Sequence, residues 1–252
     1  MSSVNSAARS AGALYIIGTV AGILSLTVTG PVRNTQDYLA SVAANETQLV
    51  LGALCIITMG LALAMIPVVL FPILRKYNEA LALGYVVFRG GLEAVSYLAV
   101  ATSWLLLIPV RQLYIQAGDL NTAGFQALGT LLLLTHELGS ILTIVFCLSA
   151  LIFYYVLYRT KLVPRWLSGW GLIAIVPYVT ATLLAMFGTI TTLSTTYVMF
   201  QIPLAIQEMA LAAWLIVKGF NSSATVLMGS TQREHMIDAI GQSAEGQSYV
   251  RS

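Results

Sequence analysis

The chain has 252 residues, 58% of them hydrophobic and only 9% charged, against about 25% charged in an ordinary soluble domain. So few charges, at a mean hydropathy of +0.85, cannot cover a soluble surface of this size, and an integral membrane protein is expected. A net charge of +2, with 12 Lys+Arg and no clustered basic face, excludes nucleic acid as a partner. The two cysteines fall in apolar runs and exclude a disulfide framework, and two histidines leave little room for a metal site.

Six apolar runs, near 11–30, 48–74, 80–108, 127–158, 166–190 and 195–217, are long enough to span a bilayer, which takes about 20 residues. The first follows a short polar start carrying Arg9 and imitates a signal peptide. Its apolar run exceeds the usual ~7–15 residues, so it reads as an uncleaved helix. Tyr15, Gly18, Gly22, Ser25 and Thr29 share one face of it. Small residues at that spacing let helix backbones approach closely, either in a homodimer through Gly18 and Gly22 or against another span of the same chain. Packing within the chain is the favoured reading, because a six-helix bundle has many internal contacts to make.

Between the spans, residues 31–47 suit a short surface helix with Tyr38, Leu39 and Val42 on one side. The turns at 75–79 and 159–165 are short, which makes their flanking helices antiparallel neighbours. Residues 109–124 form a loop in which Asp119, Asn121 and Thr122 suit a helix start. Proline at 67, 72, 177 and 203 removes backbone donors inside spans and bends them. Residues 1–219 are read as the membrane domain and 220–252 as a flexible polar tail, with a short helix expected at 232–240.

Loop charge sets the orientation. Arg9, Arg75, Lys76, Arg159, Lys161, Arg165 and Lys218 fall on one side, and only Arg33 and Arg111 on the other. The positive-inside rule then places both termini in the cytoplasm, in the cell's inner (cytoplasmic) membrane. The fold class expected is all-α, a bundle of six transmembrane helices.

Five ionisable residues lie well inside spans: Arg89, Glu93, His136, Glu137 and Glu208. A charge facing lipid near the bilayer centre costs ~2.5–3.5 kcal/mol, so these groups must face the bundle interior, pair, or become neutral. Arg89 and Glu93 are one turn apart and share a stripe with Tyr85, Ser96 and Ser103. His136, Ser140, Thr143 and Cys147 share a face of the fourth span, with Glu137 beside it. Tyr197, Gln201 and Glu208 share one on the sixth, and Tyr178 with Thr182 form a weaker stripe on the fifth. At 1.5 Å per residue, Arg89 lies roughly 16 Å and Glu208 roughly 15 Å from the cytoplasmic ends of their helices, which predicts a pair across the third and sixth spans. Three carboxylates against one fixed cation and one His leave an excess of negative charge. At least one Glu is therefore expected to hold a proton, which suits either a proton-coupling site or an inert hydrogen bond in a buried ion-pair network that only fixes helix order.

Several signals fail. His136–Glu137 begins a near-match to HExxH, but Ser140 stands where the second His is needed. The only other histidine, His235, is in the tail, so no zinc or haem is expected and no cofactor is assigned. Gly118–Asp119 lacks the partner Asp that an intramembrane aspartyl protease requires, and no phosphate-binding GxxxxGK[ST] motif exists. A Ser–His hydrolase using Ser96 or Ser140 with His136 has no nucleophile-elbow context.

The segments AGALYIIGTVAGILS, DYLASVAANETQLVLGAL, FRGGLEAVSYL, VPRWLSGWGLI and IQEMALAAWLIVKGF occur in that order over roughly residues 8–220. Together they resemble the prokaryotic multi-pass membrane family known as domain of unknown function 4386. The resemblance implies a location and a topology rather than a reaction. It implies that Arg89, Glu93, His136 and Glu208 occupy the family's polar positions, the last before the Trp214–Lys218–Gly219 stretch; Glu137 is not carried over. Pro164, Arg165 and Trp166 resemble the family's cytoplasmic turn.

The leading functional expectation is binding or translocation of a small molecule or ion, linked to protons. Arg89 would hold an anionic group or a carboxylate partner, Glu93 and Glu208 would titrate, and His136 would relay a proton or donate a hydrogen bond. Tyr85, Ser96, Glu137, Ser140, Tyr197 and Gln201 complete the candidate lining. The alternatives are an intramembrane enzyme acting on a lipid or isoprenoid by Glu/His acid–base chemistry, and a non-catalytic sensor or assembly factor. An enzyme is the less favoured reading.

Overall fold

The structure, a computed structural model, describes residues 2–33, 41–42, 44–117, 122–133, 136–192 and 194–224, without the side chains of Ser2, Arg33, Thr122, Leu133 and residues 136–139. The described residues hold no strand. Their helices are α1 (Ser2–Arg33), α2 (Glu46–Leu74), α3 (Glu79–Ala117), α4 (Thr122–Leu133), α5 (His136–Thr160), α6 (Arg165–Met186) and α7 (Thr195–Val217). Six of these are long and apolar enough to cross a membrane, and α4 is shorter. In hydrocarbon only a helix or a closed barrel satisfies every backbone polar group, so apolar runs of this length become helices.

Local signals set several ends. The Asn78 side chain accepts a hydrogen bond from the Leu81 N–H at 2.9 Å and caps the start of α3. Ser194 caps α7 through the Tyr197 N–H at 3.2 Å. Gly188, at φ 70°, turns the chain after α6.

The order along the chain is also the order in space. α1 packs on α2, α2 on α3, α3 on α5, α5 on α6, α6 on α7, and α7 returns to α1. The close return contact needs a glycine: a Cβ on Gly12 would lie 2.7 Å from the Ala212 carbonyl oxygen. The N-terminal end of α1 therefore sits beside the C-terminal end of α7, where Gly219 faces Asn5. The Asn221 N–H donates to the Leu162 carbonyl at 2.9 Å, tying the end of α7 to the α5–α6 turn.

Outward and inward faces differ in kind, not in polarity alone. Ile16, Ile17, Val20 and Ile23 of α1 are exposed, whereas Ala8, Ala11, Tyr15, Ser25 and Thr29 are buried. Small residues face inward because close backbone packing substitutes for a hydrophobic drive that lipid does not supply. Gly18 lies against Leu63 and Gly22 against Met59, both of α2.

The fourth run, read as one span over 127–158, holds α4 and α5 among the described residues, and residues 134–135 between them lie outside those. α4 packs on the end of α3, where Tyr114 and Phe125 meet edge to face at 6.2 Å. Two expectations change. Residues 109–117, read as loop, continue α3 with Pro109 inside the helix. The fifth run ends at Met186 rather than 190. In addition, Phe220 and Ala224 are buried in the core, so the packed region reaches Ala224. Tyr38, Leu39, Asp119, Asn121, His235 and the helix expected at 232–240 lie outside the described residues, whereas Val42 is described and buried.

Candidate functional site

In the first half of α3 the helix widens to π geometry over Val86–Glu93. Gly90 and Gly91 lie within this segment, and glycine is a poor α-helix former that makes the departure cheaper. Such π segments are rare and recur at functional sites. This one carries both buried charges of the helix: Arg89 is 2% exposed and Glu93 1%.

Arg89 is held between two carboxylates. Its Nη1 lies 3.6 Å from Glu93 Oε2 on the same helix. Its Nη2 lies 3.7 Å from Glu208 Oε1 on α7, the partner that depth arithmetic predicts. Both distances exceed hydrogen-bond length, about 2.7–3.2 Å. Arg89 Nε, Glu93 Oε2 and Glu208 Oε1 are buried without a hydrogen bond among the described residues. The ring of Tyr15 lies 5.3 Å and that of Phe146 5.1 Å from the guanidinium carbon. These cation–π contacts compensate part of the lost hydration and fix the plane of the group. Polar contacts are then left to its edges.

The carboxylates are supported unequally. Glu93 Oε1 accepts a hydrogen bond from the Tyr97 hydroxyl at 3.3 Å, and Glu93 is almost fully buried. Glu208 keeps 18% exposure. Beside it, Gln207 points the other way and donates to the Leu167 carbonyl at 3.0 Å, locking α7 to α6.

A cavity of about 150 Å³ opens at this cluster. Tyr15 and Thr19 of α1, Met59 and Leu63 of α2, Arg89, Glu93 and Tyr97 of α3, Phe146 of α5, Tyr178 of α6 and Glu208 of α7 line it. Every membrane-length helix therefore reaches one small space. The space has room for a few waters or a small solute, and it offers a cation, two carboxylates, hydroxyls and aromatic faces.

The other candidates separate. Tyr85 is buried one turn below Arg89 and stacks on Phe153 with centroids 4.8 Å apart. Ser96 and Ser103 fall on the stripe expected to be polar, but their hydroxyls donate to the carbonyls of Leu92 and Ala99 at 2.9 Å. Such bonds to the preceding turn satisfy the hydroxyl within its own helix. Tyr97 takes the position next to Glu93 instead. Ser140, Thr143 and Cys147 are buried on α5. Tyr197 and Gln201 are half-buried on α7, nearer its start than Glu208. The side chains of His136 and Glu137 lie outside the described residues.

Sequence reasoning missed Tyr97, Phe146 and the role of Tyr15. Tyr97 stands four residues after Glu93, a spacing that was available to read. The two rings carried no signal that distinguishes them from ordinary membrane aromatics.

No curated protein and no solved structure matches the chain. A family model does: residues 10–219 match the one described as domain of unknown function (DUF4386), and the chain belongs to that multi-helix membrane family.

Proposed function

We propose that the protein binds a small polar solute or ion at the Arg89–Glu93–Glu208 cavity and carries it, coupled to a proton, across the cytoplasmic membrane. The observation that carries this reading is a buried arginine set between two carboxylates at ion-pair rather than hydrogen-bond distance, beside a cavity that all six long helices line. A group that serves only to fix helix order is best hydrogen-bonded to saturation, because each unsatisfied polar atom in a dry interior costs free energy. Here polar atoms on all three residues are left for something else to meet. Arg89 takes an anionic or acceptor group of the solute, and the two glutamates take its cationic group or exchange a proton. The excess of positive residues at the shared end of α1 and α7 supports cytoplasmic termini.

The test is to purify wild type and the Glu93→Gln variant in mild detergent and identify co-purified small molecules by mass spectrometry. A compound present with wild type and lost from a folded Glu93→Gln supports a binding site. The same compound retained by both Glu93→Gln and Arg89→Met would sink the assignment.

A further inference from the structure

A second cavity, of about 510 Å³, lies at the end of the bundle where α5 and α7 end and α6 begins. Its walls are the α5–α6 turn and the end of α7, fixed to each other by the Asn221–Leu162 hydrogen bond. Three cations, Lys161, Arg165 and Lys218, line it, and no acidic side chain does. All three are exposed, and none forms an ion pair among the described residues. The floor is apolar, with Trp214 half-buried and Phe220 buried. α6 starts here at Pro164 without a side-chain cap, so its first N–H groups add to the positive field.

Two further observations point to a ligand. Lys161 sits at φ 56°, a left-handed conformation that favours glycine and that a lysine adopts at a cost. The chain thus holds a cation at this rim where glycine would be more stable. Trp166 is 60% exposed and Tyr158 partly exposed at the same end of the bundle, as in the aromatic belts that mark headgroup level. Arg165 stacks on Tyr158 at 5.2 Å.

We infer that this cavity is a phosphate-binding site at the membrane surface, formed by Lys161, Arg165 and Lys218. The phosphate comes from the headgroup of an anionic phospholipid or from free phosphate in the aqueous phase. A lipid headgroup fits the apolar floor, which would meet the glycerol and first acyl carbons. Basic pockets between helices on the cytoplasmic side recognise lipid phosphates in this way.

The test uses the full chain in detergent, with short-chain phosphatidylglycerol, short-chain phosphatidylcholine or inorganic phosphate as probe and the unfolding temperature as readout. Phosphatidylglycerol is expected to raise the unfolding temperature and phosphatidylcholine to leave it unchanged. Lys161→Gly and Lys218→Gln are each expected to weaken the phosphatidylglycerol response about fivefold, the equivalent of about 1 kcal/mol per basic residue at a membrane surface. Lys161→Gly relieves the left-handed strain, so its loss of response is not a failure to fold. The double variant Arg75→Gln/Lys76→Gln removes charge from another turn at the same end and should respond like wild type. A response to inorganic phosphate equal to that for phosphatidylglycerol keeps the site and gives the free anion as its occupant. No response to either phosphate, or an equal loss in the Arg75→Gln/Lys76→Gln control, overturns the proposal.

Discussion

Arg89 and Arg165 are the same residue in opposite solvents. Arg89 is 2% exposed midway through the bundle, held by two carboxylates and two aromatic rings. Arg165 is exposed at the end of the bundle, and the contact the structure gives its guanidinium is the ring of Tyr158. In the interior a charge must be neutralised from several directions at once, so its neighbours are drawn from three other helices. At the surface water and headgroups do that work, and position relative to the bilayer matters more than any one partner. The difference teaches that a count of charges in a membrane sequence mixes two populations with different rules.

The comparison can be broken most severely at the centre. Arg89→Met leaves Glu93 and Glu208 buried without their cation and is expected to cost about 3–5 kcal/mol in unfolding free energy. Adding Glu93→Gln and Glu208→Gln should recover most of that loss, because apolar or neutral replacements of a whole buried ionic group are often near neutral. Both are measured by denaturant unfolding in detergent. If the triple variant folds and still supports the host's phenotype, the cluster is scaffolding and the proposed binding site falls.

Tyr97→Phe removes one hydrogen bond to a carboxylate without opening space, and a loss of about 1.5–3 kcal/mol is expected. An unchanged stability would mean that the 3.3 Å contact contributes nothing. Lys161→Gly is expected to raise stability by about 1 kcal/mol, since it removes a left-handed non-glycine residue. A drop instead would show that the lysine side chain itself holds the turn. Arg75→Gln, at an exposed turn where the guanidinium lies 5.9 Å from the Phe71 ring, should stay within about 0.5 kcal/mol of wild type.

Much of this was legible. Six apolar runs gave six long helices, and the rise per residue alone brought Arg89 level with Glu208 across the bundle. Other features were hidden for physical reasons. The π segment is a backbone response to packing, and hydropathy carries no trace of it beyond the Gly90–Gly91 pair. The sequence points to Ser96 rather than its neighbour Tyr97 because a serine reads as polar. Inside a membrane helix its hydroxyl can return to its own backbone, whereas a tyrosine reaches across to a neighbour. The basic cavity was invisible because its residues come from two stretches some fifty positions apart and were spent on orientation.

The contact between α1 and α7 also constrains biosynthesis. α7 follows the other spans in the chain, yet it supplies Glu208 and covers the Gly12 face of α1. Without α7, Arg89 has Glu93 as its one carboxylate among the described residues and the first helix has an uncovered seam. The cavity is fully lined only when the last helix lies against the first. A nascent chain arrested before Thr195 would therefore present to the membrane's quality-control proteases an arginine lacking its second carboxylate and a bare small-residue face. In this topology the site is complete only once α7 is in place.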